Sequence, residues 1–490
     1  TLDSAGLEVT AEQLMVLIDI AETMAQKYDV VVTNPPYMGS SGMDGKLSEF
    51  VKNHYPDSKG DLFAVFIERC GAMTEQNRFQ AMITQHSWMF LSSFEKLREK
   101  LLLHDTVNMA HLGARAFDEI GGEVVQTTSF VQRKSHVTDY KGTYCRLIEP
   151  TTQQGKEDMF LSGKNRYIAR QFDFSKIPGS PVAYWATEGV IRAFNTADAL
   201  EVSAAPKRGM CTCGNDLFYR NWYEIPYPDF CYPKSIAEHN GWVPLNKGGD
   251  YRKWYGNLLE VVDWKNNAQR LRNYPTAQIK NEDFYFLPAI TWSSITSKRL
   301  SFRYTPDGFI FDQASNGVFP PVNLYYYYLA LLNSKAATSI LTVINPSFNV
   351  LVGDIGKIPV VIDNERIGVI NSLVDELNAY SKKDWDSYEI SWDFMKHPLV
   401  HLASTVTEAF TQWETECNDR FNKLKANEEE LNRIFIDIYG LQNELSPDVE
   451  DKDVTVRRAD LQRDIKSLLS YAVGCMFGRY SLDNEGLAYA

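Results

Sequence analysis

The stretch Tyr28–Ser40, YDVVVTNPPYMGS, decides how this chain is read. Tyr28 to Thr33 is a mostly apolar, β-branched run, the composition of a buried strand. It ends in Asn34-Pro35-Pro36-Tyr37. Proline cannot donate to a sheet ladder, so the pairing must stop here. The residue before a proline is pushed into an extended conformation. Asn34 is therefore expected at the strand tip with its amide projecting outward. Pro35 and Pro36 have no N–H, which leaves nearby carbonyls free to accept. The Asn34 side-chain oxygen and the Pro35 carbonyl become two acceptors aimed at one spot, and Tyr37 supplies a flat face beside it. The plainer alternative is a tight turn after a strand.

A ligand that suits two acceptors and a ring is an exocyclic amino group on a flat heterocycle. The lone pair of such an amine is conjugated into its ring, so it is a poor nucleophile. Acceptors on both N–H bonds favour the pyramidal amine, which lies closer to a transition state of alkylation than to the ground state.

Around this stretch the pattern is strand, helix, strand, helix, strand. Residues 10–27 have helical apolar spacing, and Lys59–Cys70 reads as a helix with Asp61 near its start. Phe79–Thr84 is a second buried strand, Ser92–Leu103 a charged amphipathic helix, and Thr106–Leu112 and Val124–Gln132 further strands. This is the grammar of a doubly wound α/β sheet. From about residue 150 it gives way to short strand-like runs dense in aromatics, Pro and Gly. Residues 362–440 and 460–477 return to helical spacing. Tyr325–Tyr328 runs into an apolar helix and reads as core.

The 490 residues give room for two to four domains. A net charge of −13 argues against nonspecific polyanion binding. The charge is uneven: residues 361–490 hold 25 acids and 14 bases, whereas residues 201–310 hold 14 bases and 11 acids. The middle of the chain could thus face a polyanion. Of seven cysteines only Cys211 and Cys213 lie close in sequence, which is too few for a zinc site; free thiols in a reducing compartment are expected, and no metal. There is no apolar run of a membrane span's length and no basic-apolar leader, so a cytoplasmic protein without membrane contact is expected. The first residue is Thr1, which suggests processing or excision from something longer.

Asn34-Pro35-Pro36-Tyr37 after an apolar strand resembles the catalytic motif of amino-methyltransferases that use S-adenosylmethionine. The segment that follows resembles the N6-adenine DNA methyltransferases. Asp61-Leu62-Phe63 stands where that family lines the cofactor's adenosine, and Ala81–Leu91 resembles its next strand and loop. Thr127–Lys134 resembles the motif in which a Phe stacks on the flipped adenine. The resemblance implies that Asn34, Pro35, Pro36 and Tyr37 are catalytic and that Tyr37 and Phe130 sandwich the base. It also implies that Asn34, Pro36 and Asp61 touch the cofactor. Taken singly, Asp61 reads equally as a helix cap, Phe130 as a core residue, and His86 and Trp88 as packing near the site.

Enzymes that methylate glutamine amides carry the same four residues, so the motif alone does not choose DNA. The region after residue 180 resembles the target-recognition domains of restriction-modification enzymes, closing with Asn345–Asn349 and Asp354–Pro359. Within it Lys247, Tyr251, Arg252, Lys253 and Trp254, with Lys298, Arg299 and Arg303, suit phosphate and base contacts; a solvated loop with packed tryptophans is the alternative. The tail, Leu431–Thr455 and Leu468–Asp483, is similar to the C-terminal end of the adenine-specific DNA methyltransferases of BREX phage-defence systems.

The resemblance implies double-stranded DNA with a flipped adenine as substrate and other BREX proteins as partners. The expected architecture is α/β. Residues 1–150 form the C-terminal part of a Rossmann-like methyltransferase sheet, 151–361 an α+β target-recognition domain with a connector, and 362–490 a helical region. The glycine-rich cofactor loop is missing; Gly121-Gly122 and Gly248-Gly249 lack the required setting. The chain is thus expected to be the later part of a larger enzyme, and alone to bind cofactor poorly and not to methylate. A restriction-modification fusion with a nuclease elsewhere, or a DNA-recognition module without catalysis, are the rival readings.

Overall fold

The computed structural model describes residues 3–117, 125–231, 240–295, 299–347, 349–400 and 403–488, in two compact units. One comprises residues 1–187 with 343–345, the other 188–342 with 346–490. Among the described residues no helix is long and apolar enough to cross a membrane.

The first unit is built on a six-stranded sheet. Its strands are β1 (Tyr28–Thr33), β2 (Thr74–Gln85), β3 (Asp105–Ala114), β4 (Gln126–Arg133), β5 (Lys141–Arg146) and β6 (Arg166–Arg170), in the order β1-β2-β4-β3-β5-β6. β1 and β2 run parallel, in register Thr33↔Met82. β4 inserts antiparallel between β2 and β3, pairing Thr127 with Gln85 and Gln126 with Ala114. The start of β4 therefore lies at the same sheet end as the last residues of β1, β2 and β3. The sheet is mixed rather than uniformly parallel. It also runs past the expected boundary at residue 150, because β5 and β6 extend it.

Helix α1 (Asp3–Ala25) precedes β1, and α2 (Gly45–His54) and α3 (Leu62–Met73) lie between β1 and β2. α3 starts at Asp61, whose carboxylate accepts from the Phe63 N–H. Its apolar residues Phe63, Ala64 and Ile67 are buried with Met82, Trp88, Leu97, Met109 and Phe130 in one core. Each large side chain buried there contributes about 1.5–3 kcal/mol. At the other end of α3, Lys134 Nζ donates to the Gly71 and Thr74 carbonyls at 2.9 and 2.8 Å, satisfying groups the helix leaves open. The edge strand β1 keeps an open face, with Val32 70% exposed.

The second unit holds two four-stranded sheets. One contains Trp242–Asn246 and Glu260–Asp263, the other Ala289–Ser293, Phe302–Thr305 and Ser315–Phe319. The helices Tyr325–Asn333, Ile367–Asp386, Val406–Tyr439 and Leu461–Met476 belong to the same unit. Tyr327 and Tyr328 are core residues of the first of these, as their sequence context suggests. The expected division at residue 361 is not a boundary between compact units, because buried ion pairs cross it. Arg252 Nη2 meets Asp384 Oδ2 at 2.8 Å, and Lys253 pairs with Glu428 on the 34-residue helix. Breaking a buried pair from one side leaves the other charge stranded. Glu428→Gln should therefore destabilise the second unit by about 3–5 kcal/mol in denaturant unfolding; a loss below about 1 kcal/mol, the range of exposed pairs, would show that the charge is solvated.

Candidate active site

At the end of β1 the chain meets its two prolines. Pro35 is buried, whereas Asn34 and Pro36 are exposed and Tyr37 is half-buried. The Asn34 amide makes no hydrogen bond to any described residue. The Tyr37 ring packs edge-on against Phe63, centroids 6.2 Å apart, and its hydroxyl donates to the Ile83 carbonyl at 3.4 Å. Burial pushes the Tyr37 phenol up to about 12, so it stays protonated through the neutral range.

The chain is caught again immediately after Tyr37. Met38 N–H donates to Asp61 Oδ1 at 2.9 Å, and the Met38 carbonyl accepts from Leu62 N–H at 3.0 Å. Gly39 and Asp61 form an antiparallel bridge, and Ser40 N–H reaches the Gly60 carbonyl at 3.1 Å. The same Asp61 oxygen accepts from Phe63 N–H at 3.3 Å. Burial pushes the Asp61 carboxyl up, against the opposing pull of its main-chain donors Met38, Phe63 and Leu62. The cap reading of Asp61 is thus realised, with a second arm to the loop after Tyr37 that sequence spacing does not reveal.

Phe130 requires a correction. It is 2% exposed, packed edge-on against Trp88 at 5.4 Å and paired across the sheet with Met82. A ring enclosed on that core face has no side open for a base. Strand alternation sends Phe130 inward, which leaves half-buried Tyr37 as the accessible ring of the expected sandwich.

Beside β4, two buried histidines form a chain that the sequence did not announce. His86 Nδ1 lies 2.8 Å from His111 Nε2, and His111 Nδ1 lies 3.1 Å from the Tyr184 hydroxyl. Burial lowers His86 to about 4 and His111 well below its ordinary range. The loop that carries His86 and Trp88 is held by Arg98. Its guanidinium donates to the carbonyls of Trp88, Leu91 and Gly179 at 2.7–3.0 Å.

Most of the expected DNA contacts are structural. Arg252 is also stacked on Trp385 at 5.2 Å, and Trp254 Nε1 donates to Glu428 Oε1 at 2.7 Å. Arg303 is 1% exposed and is pulled down to about 10 by burial. Arg252, Lys253, Trp254 and Arg303 are therefore withdrawn as DNA contacts, because all four are buried inside the unit. Tyr251 is half-buried beside Asp453, and Arg299 is exposed but ion-paired to Asp453. Lys247 lies over the Tyr219 ring at 5.3 Å. Lys298 is outside the described residues.

A different cluster carries basic charge without an acid partner, Lys207 lying over the Phe284 ring at 4.9 Å. Arg208 and Lys280 are exposed and Lys207 is half-buried, and none is ion-paired among the described residues. Arg208 Nη2 donates to Gln313 Oε1 at 2.6 Å, and Asn281 Nδ2 donates to the Arg208 carbonyl at 2.8 Å. Lys207 and Lys280 lie 73 residues apart, so no run of bases flags the patch.

Residues 8–114 match the Eco57I restriction-modification methylase family. Over 98% of its length the chain is 45% identical to the adenine-specific methyltransferase PglX of Lacticaseibacillus casei (strain Zhang), covering 42% of that protein. It is similar to proteins named adenine-specific methyltransferases. It is also 38% identical, over 98% of its length, to the adenine-specific methyltransferase BrxX of Escherichia coli O9:H4 (strain HS), covering 41% of it. The chain thus spans less than half the length of these relatives. In fold it is similar to the Type IIL restriction-modification enzyme MmeI, solved in complex with DNA. The TM-score is 0.51 at 10% identity, over 91% of this chain and 57% of that one. The Rossmann-like expectation for the first unit accords with these relatives.

The buried histidines give a pH test. A base whose folded pKa is depressed stabilises the fold fully above its unfolded value and loses that contribution as pH falls toward the folded value. For His86 the window runs from 6.5 down to about 4. The slope is about 1.4 kcal/mol per pH unit for each such group. Thermal midpoints should fall through this window, and His86→Gln should flatten the fall; an unchanged slope would mean that His86 is solvated.

Proposed function

We propose that this chain is the later part of an adenine-specific DNA methyltransferase of the BREX type. In this reading the whole protein transfers a methyl group to N6 of an extruded adenine in double-stranded DNA, alongside other proteins of the same defence system. The observation that carries the reading is the strand tip itself. An exposed Asn34 amide with no partner among the described residues sits beside a buried Pro35, and a half-buried Tyr37 follows.

In this mechanism Asn34 Oδ1 and the Pro35 carbonyl each accept one N6–H. Together they draw the amine out of conjugation, and its lone pair becomes available. These hydrogen bonds strengthen as the nitrogen pyramidalises and gains positive charge, which is stabilisation of the transition state over the ground state. Tyr37 offers its ring to the base, and its neutral hydroxyl anchors that ring to β2 through Ile83. No strong base is required, because N6 becomes acidic as it gains the methyl group. S-adenosylmethionine, when bound, supplies an electrophilic methyl group. Asn34 and Pro36 fit such a cofactor as exposed groups at the strand end, whereas the Asp61 carboxylate is engaged by main-chain donors.

Lys207, Arg208 and Lys280 are the proposed phosphate contacts of the second unit, in place of the buried Arg252, Lys253 and Arg303. Lys247 remains a candidate beside them. Neutralising a phosphate contact lowers the salt dependence of binding by roughly 1 in the log–log slope.

In the full-length protein Asn34→Ala should abolish methylation, read by methylation sequencing of a host, and leave duplex binding intact. Retained methylation would refute the hook. The triple variant K207A/R208A/K280A should weaken duplex binding uniformly across sequences and reduce its salt slope; an unchanged slope would place the DNA face elsewhere.

A further inference from the structure

The Asn34–Tyr37 span is flanked by two main-chain supports. On one side the sheet fixes Thr33, paired with Met82. On the other, Asp61 Oδ1 accepts from Met38 N–H at 2.9 Å, and Leu62 N–H closes the bridge to the Met38 carbonyl at 3.0 Å. Between these points lie only Asn34, Pro35, Pro36 and Tyr37. The two prolines bring no donors to this span, so apart from the buried Pro35 and the Tyr37 ring its position is set by its ends. We infer that Asp61 is a positioning residue: its carboxylate braces Met38 and so fixes the Asn34–Tyr37 span relative to β2 and to Phe63.

The inference rests on the methyltransferase reading of that span and gives Asp61 a different task from the one family resemblance implies. A carboxylate that holds a cofactor acts through its charge on a ligand outside the fold. Here one oxygen serves two main-chain donors, Met38 and Phe63, at 2.9 and 3.3 Å. The first ties the catalytic loop and the second caps the helix. The helix thereby places Phe63 against the Tyr37 ring, centroids 6.2 Å apart. A Cβ at Gly39 would stand 3.8 Å from Asp61 Oδ2, so loop and carboxylate are in direct apposition. One side chain therefore couples the start of α3 to the aim of the hook.

Two variants separate the tasks. Asp61→Asn keeps a carbonyl oxygen of the same reach and removes the charge. Asp61→Ser is a competent helix cap but is too short to reach Met38. Steady-state methylation by the full-length protein should show kcat reduced about 10²-fold in D61S, the scale expected for a misplacement near 1 Å, with KM for S-adenosylmethionine little changed. D61N should recover most of the rate. Hydrogen exchange should show the Met38 and Ser40 amides protected in wild type and D61N and fast in D61S, a readout that does not depend on turnover. A rise in KM for S-adenosylmethionine in D61N with kcat unchanged would make Asp61 a charge partner of the cofactor and overturn the inference. Full activity of D61S would overturn it as well. Asn34→Ala assayed in parallel distinguishes the failures: if that variant remains active, the reading of the span itself is wrong, whatever Asp61 does.

Discussion

A four-residue span held at one end by sheet register and at the other by a carboxylate and a main-chain bridge is the constraint on which the site depends. Thr33 is fixed by β2, and Met38 is fixed by Asp61 and Leu62. Residues with N–H groups in the middle would let the span pair with β2 and close down as an ordinary strand end. Two prolines forbid that, and the first of them keeps Asn34 extended. The core beneath the span, Phe63 with Ile67, Met82 and Trp88, gives the supports something rigid to stand on. Sequence, backbone restriction and packing thus converge on one exposed amide.

The second unit shows the opposite use of polar residues. Arg252, Lys253 and Arg303 lie in a sequence region rich in bases and aromatics, which is also the composition of a nucleic-acid surface. What separates the two cases is the fate of the acids. Asp384 and Glu428 lie well over a hundred residues downstream of their partners, on helices whose acidic faces suggest solvent exposure. Folding brings them inward, and Arg252 and Lys253 follow, whereas Arg303 is buried against the Arg252 carbonyl and the Ser293 hydroxyl. A buried pair is costly to desolvate and gains its value from complete hydrogen bonding. That completeness is visible at Glu428, which takes both Lys253 and the Trp254 indole. In the proposed reading the charge offered to DNA is that without an acid partner among the described residues, and Lys207, Arg208 and Lys280 are its candidates.

The strand tip was legible because its restrictions are local: a proline acts on its own backbone and its neighbour's. The strands β1 to β4 and helix α3 were legible for the same reason, through apolar periodicity and a capping acid. The position of β4 between β2 and β3, and the strands β5 and β6, were not, because pairing order is a long-range property. Phe130 was misplaced by analogy where strand alternation alone would have sent it inward. The second arm of Asp61, the His86–His111 contact and the reach of Arg98 to the Gly179 carbonyl each join residues 23 or more positions apart. No spacing rule reaches so far.

In the proposed mechanism these features combine: a donor-poor loop presents two oxygens to an amine while a neutral phenol ring flanks it. The most direct measurement of that picture is a structure of the full-length protein with its target duplex and a non-transferring cofactor analogue. The account predicts an extruded adenine with N6 about 2.6–3.2 Å from both Asn34 Oδ1 and the Pro35 carbonyl and its ring against Tyr37. An extruded base bound elsewhere, or an N6 held by other acceptors while Asn34 faces solvent, would contradict it.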